Sequence, residues 1–207
     1  MTKIMKSLGK TASLISLIGN LAFSGCNVYH NYKTINLNEI PTVNLNNKRI
    51  AYHSISHSLT PEGAIQFVRT PEAAAGYTYF LFLRHDDKED SAQSFEANHN
   101  DRVGNCVDYA GAVAALLSDN GYPPLMLVLD SKKDNESHSL FFYKTEKGVG
   151  AVDRSGAYGI YKNIDDLIKD YNTENNQDYE FSAVIDLDRT YPDKRWMFGD
   201  KPISVYK

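Results

Sequence analysis

The sequence lacks several features that would assign it to a class at once. It has only two cysteines among 207 residues, so at most one disulfide, between Cys26 and Cys106, can form. It has no basic patch with interleaved aromatic residues, and its formal net charge is −4, so we do not expect a nucleic-acid partner. It shows no internal repeat, and its length suggests one domain.

The sequence has no hydrophobic run long enough to cross a membrane comfortably. Its longest apolar stretch is ASLISLIGNLAF, near the N-terminus. It follows a segment with three lysines and no acidic residue, which is the order of a secretory signal. The next residues, FSGC, resemble the lipobox of bacterial lipoproteins, although Phe23 stands where that motif usually has Leu. We therefore expect residues 1–25 to be a lipoprotein-type signal peptide and Cys26 to be lipidated. The alternatives are an ordinary cleaved signal and an uncleaved anchor.

Lipidation of Cys26 would make the protein an exported lipoprotein of the cell membrane or outer membrane, and it would exclude a disulfide to Cys106. Residues 26–50 are rich in Asn and show no helical period, which predicts a tether between the lipid anchor and a folded domain. The alternating apolar residues of this segment would also suit an edge strand. We expect the domain itself to span residues 51–207.

The domain opens with two helix starts of one type, Thr60-Pro61-Glu62 and Thr70-Pro71-Glu72, in which Thr is the N-cap and Pro the first helical residue. The second helix is predicted to reach about His85. A strongly polar segment from 86 to 103, which includes DDKED, is predicted to be a solvated loop. The next helix carries Cys106 in its first turn and stops at Asn120-Gly121.

Four further segments alternate between strand and turn patterns. LMLVLD, SHSLFFYK, VGAVD and DYEFSAVIDL are predicted strands, and NIDDLIKDY before the last of them is a predicted amphipathic helix. A helix followed by an antiparallel meander indicates the α+β class.

Three residues of this pattern carry chemistry. Cys106 lies at a helix N-terminus, where unpaired N–H groups and the helix dipole favour the thiolate. A nucleophilic thiolate needs a histidine as base and a carboxylate or amide to orient that histidine. His138 begins one predicted strand and Asp153 ends the next, so a hairpin through residues 145–148 places them side by side. A structural reading remains open for each, since a cysteine on an apolar helical stripe is often a core residue.

The segment GNCVDYAGAVAALLSDNGYPPLMLVL resembles the transglutaminase-like core, and His138 in SHSLFFY and Asp153 in GAVDRS match that family's histidine and aspartate. The resemblance implies a papain-like fold, with the cysteine helix packed on an antiparallel sheet, a Cys106-His138-Asp153 triad and no cofactor. Two positions depart from the family: Leu140, where an aromatic residue is frequent, and Arg154, where Pro is frequent. Both lie near the substrate side.

The resemblance implies acyl chemistry on a peptide or protein substrate, ending in hydrolysis or in transfer to an amine. The backbone N–H of Cys106 is the expected first oxyanion donor, and Asn100, with His99 and Gln93 as further candidates, is the expected source of the second. The alternative function is a non-catalytic cell-surface lipoprotein that binds a protein or glycan partner. The sequence leaves the oligomeric state open.

A metal site is not expected. His53 and His57 have metal-like spacing only on a helix, whereas RIAYHSISH alternates like a strand, and no third ligand stands near them. Asp108, close to the cysteine, is expected either to cap the helix locally or to shape the site.

Overall fold

The computed structural model describes residues 33–40, 42–43, 59–82, 84–85, 93–134 and 136–199. The predicted signal peptide, Cys26, the histidines of HSISH and the DDKED run lie outside these residues. Among the helices that the structure describes, none has the length and apolar character needed to cross a membrane.

Helices and strands alternate in a mixed order along the chain. The helices are α1 (Pro61–Phe67), α2 (Pro71–Leu81), α3 (Phe95–Asp101), α4 (Cys106–Ser118), α5 (Ile164–Asn175), α6 (Leu187–Thr190) and α7 (Arg195–Phe198). The strands are β1 (Thr42–Val43), β2 (Arg84–His85), β3 (Val103–Gly104), β4 (Leu125–Ser131), β5 (Ser137–Thr145), β6 (Gly148–Asp153), β7 (Gly156–Tyr161) and β8 (Tyr179–Asp186). The predicted α+β class is thus confirmed.

The main sheet is antiparallel along the order β7-β6-β5-β4-β8, and the short β1 pairs in parallel with β5. The predicted hairpin is present, since β5 and β6 pair with Phe141 opposite Val152 and Thr145 opposite Gly148. The predicted strand 178–187 is β8, which pairs with β4. β7 was not predicted, because GAYGIY contains two glycines and no clear alternation.

Each face of the sheet contributes to a separate hydrophobic core. Phe141 of β5 belongs to the core that contains the buried residues of α1, α2 and α4. Leu140 and Phe142 belong to the core that contains Leu167 of α5. This division follows from the alternation of side chains along a strand. As a result, β5 lies between the cysteine helix on one face and α5 on the other.

The predicted helix starts are confirmed at α1 and α2. The hydroxyl of Thr60 accepts a hydrogen bond from Gly63 N at 3.2 Å, and that of Thr70 accepts one from Ala73 N at 3.4 Å. Helix α2 ends at Leu81, before the predicted His85.

The loop predicted for residues 86–103 is wrong in its second half, where α3 forms. The hydroxyl of Ser94 caps this helix by accepting a hydrogen bond from Ala97 N at 3.2 Å. Phe95 anchors it and is only 1% exposed. The polar composition of FEANHND concealed a helix that depends on this single apolar anchor and on its cap.

Part of the predicted tether lies against the domain. Ile35 and Ile40 are buried in the core on the α5 face of the sheet. A bridge between Thr34 and Ile185 and the backbone hydrogen bond from Ile35 N to Val184 O, at 2.8 Å, attach this segment to β8. Residues 33–40 therefore belong structurally to the body of the protein.

Candidate active site

Cys106, His138 and Asp153 line one cavity of about 170 Å³. They come from the start of α4, the start of β5 and the end of β6, three places far apart in the sequence. The other residues of the cavity wall are Phe82, Gly104, Asn105, Tyr109, Ser139 and Arg154. The three residues that the sequence predicts to act together are thus close in space.

A capping box fixes the first turn of α4. The side-chain oxygen of Asn105 accepts hydrogen bonds from Val107 N at 2.9 Å and Asp108 N at 3.2 Å, and Asp108 Oδ2 accepts one from Asn105 N at 2.9 Å. None of the residues described in the structure accepts a hydrogen bond from the N–H of Cys106. This N–H is therefore the first-turn donor of α4 left for a ligand.

Gly104, just before Cys106 in the sequence, allows the backbone to lie close to Phe82 and Asp108. A Cβ atom at this position would lie 2.5 Å from the ring of Phe82 and 2.8 Å from the Cβ of Asp108. Any larger residue would have to displace that ring or the first turn of α4. The glycine therefore allows Phe82, which follows α2, to pack closely against the first turn of α4 at the cavity wall.

The register of the β5–β6 hairpin brings His138 and Asp153 together. Phe141 pairs with Val152, so the next position along β6 places Asp153 opposite Leu140. His138 lies two residues farther along β5 and hence on the same face, at the diagonal distance over which cross-strand side chains interact. His138 Nε2 lies 3.5 Å from Asp153 Oδ2.

This separation is longer than a charge-assisted hydrogen bond, as is frequent for catalytic pairs in the absence of substrate. Because Nε2 faces the carboxylate, Nδ1 is the ring nitrogen left for Cys106. The imidazole and the thiol are close enough to shift each other's pKa.

Asp153 is held by further donors. Its Oδ2 atom accepts a hydrogen bond from the hydroxyl of Tyr171 at 2.9 Å, and its Oδ1 atom accepts bonds from Ser155 N at 2.6 Å and from the Ser155 hydroxyl. The side chain is 7% exposed. The carboxylate therefore has little freedom to turn away from His138.

Two tyrosines stack against His138. The ring centroids of Tyr171 and Tyr179 each lie 5.7 Å from that of His138, at interplanar angles of 24° and 22°. The sequence analysis missed Tyr171, Tyr179 and Ser155. A signal for Tyr171 was present, since it follows Leu167 by four residues on the buried stripe of α5.

The pKa values of the three residues favour an ion pair. Burial raises the pKa of Cys106. The interaction with His138 and the positive charge of the His138 imidazolium outweigh burial, so the pKa of the thiol is below its ordinary value. Burial lowers the pKa of His138, but its interactions with the Asp153 carboxylate, 3.5 Å away, and with Cys106 raise it to about 9. Burial opposes ionisation of Asp153, yet the nearby imidazole of His138 and the hydrogen bonds from Ser155 keep the pKa of Asp153 below its ordinary value. These shifts favour a thiolate–imidazolium pair beside an ionised carboxylate over a neutral thiol and imidazole.

The three candidates for the second oxyanion donor do not line the cavity. Asn100 is exposed in α3. His99 pairs with the hydroxyl of Tyr77 at 2.9 Å, and Gln93 N donates to Asp108 Oδ1 at 2.5 Å. Because this segment forms a capped helix instead of a loop, Asn100 and His99 belong to α3 and not to the wall of the cavity.

Within the described ranges, no group of three or more His, Cys, Asp or Glu side chains is arranged to hold a metal ion. Cys106 carries a free thiol. Comparison of the sequence with protein-family models and with curated proteins finds no match.

Proposed function

We propose that this protein is an exported thiol enzyme, tethered to a membrane through lipidated Cys26, that performs acyl chemistry on peptide or amide bonds. Cys106 acts as the nucleophile and His138 as the general acid and base. Asp153 orients the imidazole of His138 and favours its protonated form. The observation that carries the proposal is the meeting of these three side chains in one cavity, with the cysteine in the first turn of α4.

We also infer that the domain has a papain-like core of the transglutaminase-like type. Support comes from the chain order of the three residues and from the elements that hold them: a helix, a strand and the adjacent antiparallel strand. Helix α4 packs on the face of the sheet to which Met126 and Phe141 contribute. The membrane tether is supported by the N-terminal sequence alone.

In the proposed reaction, the first half forms an acyl-enzyme. The thiolate of Cys106 attacks the carbonyl carbon, a carbon–sulfur bond forms, and the carbonyl electron pair moves to the oxygen. The N–H of Cys106 donates a hydrogen bond to that oxyanion. When the intermediate collapses, the carbon–nitrogen bond breaks and His138 Nδ1 gives its proton to the leaving amine.

The second half releases the acyl group from the thioester. Water or a second amine approaches from the side that the leaving amine has vacated, and His138 takes a proton from it as it attacks the carbonyl carbon. The carbon–sulfur bond breaks, the thiolate is restored, and Asp153 again faces an imidazolium. Water gives hydrolysis and an amine gives transfer.

The test is the pH dependence of iodoacetamide labelling at Cys106, measured between pH 5 and 8 by mass spectrometry of the Cys106 peptide, which is distinct from the Cys26 peptide. An ion-paired thiolate reacts well below the free-thiol pKa of about 8.5. We expect fast labelling below pH 7 in the unaltered protein, and in His138→Ala we expect the rise to move above pH 8.

The control is His99→Ala, which removes a half-buried imidazole outside the cavity and should leave the pH profile of Cys106 unchanged. Labelling that rises only above pH 8 and does not respond to His138→Ala would contradict the enzyme proposal. It would favour the alternative, a non-catalytic surface lipoprotein that binds a protein or glycan.

A further inference from the structure

Arg154 is a cavity residue that the mechanism does not use. It follows Asp153 directly, lies in the turn between β6 and β7 and lines the cavity together with Cys106. The turn is well fixed, since Asp153 Oδ1 accepts hydrogen bonds from Ser155 N and, at 3.3 Å, from Gly156 N. The backbone of Arg154 is thus held in place by the carboxylate that orients His138.

The positive charge of Arg154 is available to a ligand. No aspartate or glutamate in the described part of the chain forms an ion pair with it. The nearest carboxylate along the chain, Asp153, is engaged by His138, Tyr171 and Ser155. Arg154 is exposed to solvent on one side, so an incoming anion can reach it.

Aromatic side chains lie beside Arg154 in the cavity wall. Phe82 and Tyr109 contribute aromatic rings, which suit the apolar part of an acyl group. The charge of Arg154 acts on the hydroxyl of Tyr109, where it opposes the rise in pKa that burial causes. The guanidinium is therefore close enough to influence another group of the same wall.

We propose that Arg154 is a specificity-determining residue that binds a carboxylate on the acyl donor, so that the enzyme prefers substrates with a carboxylate near the scissile carbonyl. A guanidinium offers a planar pair of N–H donors that matches a carboxylate. The inference rests on the proposed function, because it assigns a substrate class to the same cavity.

The test uses two thiol reagents of nearly equal shape, iodoacetate with a carboxylate and iodoacetamide with a neutral amide. The measured quantity is the ratio of their alkylation rates at Cys106, at pH 7 and low salt, determined on the Cys106 peptide of the full chain. The imidazolium of His138 attracts iodoacetate in every variant, so its contribution cancels when ratios are compared between proteins.

We expect the iodoacetate-to-iodoacetamide ratio to fall by about two- to fivefold in Arg154→Gln, the range that an exposed ion pair supports. Arg154→Lys should keep part of the preference, because it retains the charge and loses the planar donor pair. The control is Arg69→Gln, which removes the same charge from an exposed residue outside the cavity and should leave the ratio unchanged. High salt should lower the ratio of the unaltered protein toward that of Arg154→Gln.

An equal ratio in the unaltered protein and in Arg154→Gln would overturn the inference, as would an equal loss in Arg69→Gln. Thermal unfolding of each variant checks that its fold is retained. Failure of the proposed function has a different signature, since it appears as slow iodoacetamide labelling below pH 7 in the unaltered protein. The two hypotheses can therefore fail separately.

Discussion

Two buried carboxylates flank the cysteine and behave in opposite ways. Asp108 and Asp153 are 3% and 6% exposed, and each accepts several hydrogen bonds. The donors to Asp108 are neutral amides from Gln93, Asn105 and Asn98. Burial dominates there and raises the pKa of Asp108 to about 6. The pKa of Asp153, which faces His138, lies below its ordinary value.

Burial alone therefore does not set the charge of a carboxylate at this site. The partner sets it, because an imidazolium compensates the lost hydration of a carboxylate and a few amide dipoles do so only in part. Asp108 is thus a helix cap that carries an energetic cost when ionised, whereas Asp153 is the counterion of the candidate nucleophilic pair. Proximity to Cys106 does not distinguish the two roles.

We expect Asp108 to make the stability of the protein strongly dependent on pH. Its folded pKa of about 6 exceeds the ordinary 3.8, so its contribution to stability is fully present below about pH 3.8 and is lost as pH rises to 6. We expect the free energy of unfolding of the unaltered protein, relative to Asp108→Asn, to fall by on the order of 3 kcal/mol between pH 3.5 and 6.5. Urea denaturation at a series of pH values measures this.

Asp153→Asn provides the contrast in the same experiment. The lowered pKa of Asp153 means that its stabilisation is present above pH 3.8 and is lost as pH falls through the folded pKa. The difference between the unaltered protein and Asp153→Asn should therefore not fall as pH rises from 3.5 to 6.5. Parallel curves for the two variants would show that the carboxylates titrate alike and would refute the comparison.

The next largest effect concerns the reactivity of Cys106. Asp153→Asn removes the charge that favours imidazolium at His138 and should slow iodoacetamide labelling of Cys106 at pH 6 by about 10- to 30-fold, or up to roughly 2 kcal/mol. Asp108→Asn should leave labelling unchanged or increase it slightly, because the negative charge of Asp108 raises the pKa of Cys106.

Both variants replace an aspartate by an isosteric amide at a buried position near the sulfur, so they are matched in shape. Equal slowing in the two would mean that the reactivity of Cys106 responds to any change in its buried surroundings and not to the His138–Asp153 contact. That outcome would remove Asp153 from the proposed mechanism.

The sequence predicts the parts of this site that depend on local spacing. The caps at Thr60 and Thr70 and the β5–β6 hairpin follow from a few neighbouring residues, and the hairpin is sufficient to place His138 beside Asp153. The role of Asp108 in the capping box has the same local origin, since it lies three residues after Asn105.

The parts that the sequence does not predict depend on packing between distant elements. Helix α3 depends on burial of Phe95, and its position is the reason that Asn100 lies away from the cavity. Tyr171 reaches Asp153 because α5 packs on the sheet face that carries Leu140 and Phe142. The alternation of side chains along β5 places His138 on the same face as Leu140 and Phe142. The alternation alone does not predict which helix covers that face.

A weaker effect is expected from a substitution that removes the hydroxyl of Tyr171 and keeps its ring. Tyr171→Phe keeps the stacking on His138 and removes the hydrogen bond to Asp153 Oδ2. We expect about 1 kcal/mol less stability and about threefold slower labelling of Cys106 at pH 6, because Oδ2 is then less firmly held toward Nε2.

Tyr179→Phe is the matched control for this last substitution. Tyr179 stacks on His138 at the same centroid distance, and its hydroxyl forms no hydrogen bond with any residue that the structure describes. Removal of that hydroxyl should therefore change neither stability nor labelling. If Tyr171→Phe behaves like Tyr179→Phe, the tyrosines support His138 only through their rings, and Ser155 and the β6–β7 turn are sufficient to orient Asp153.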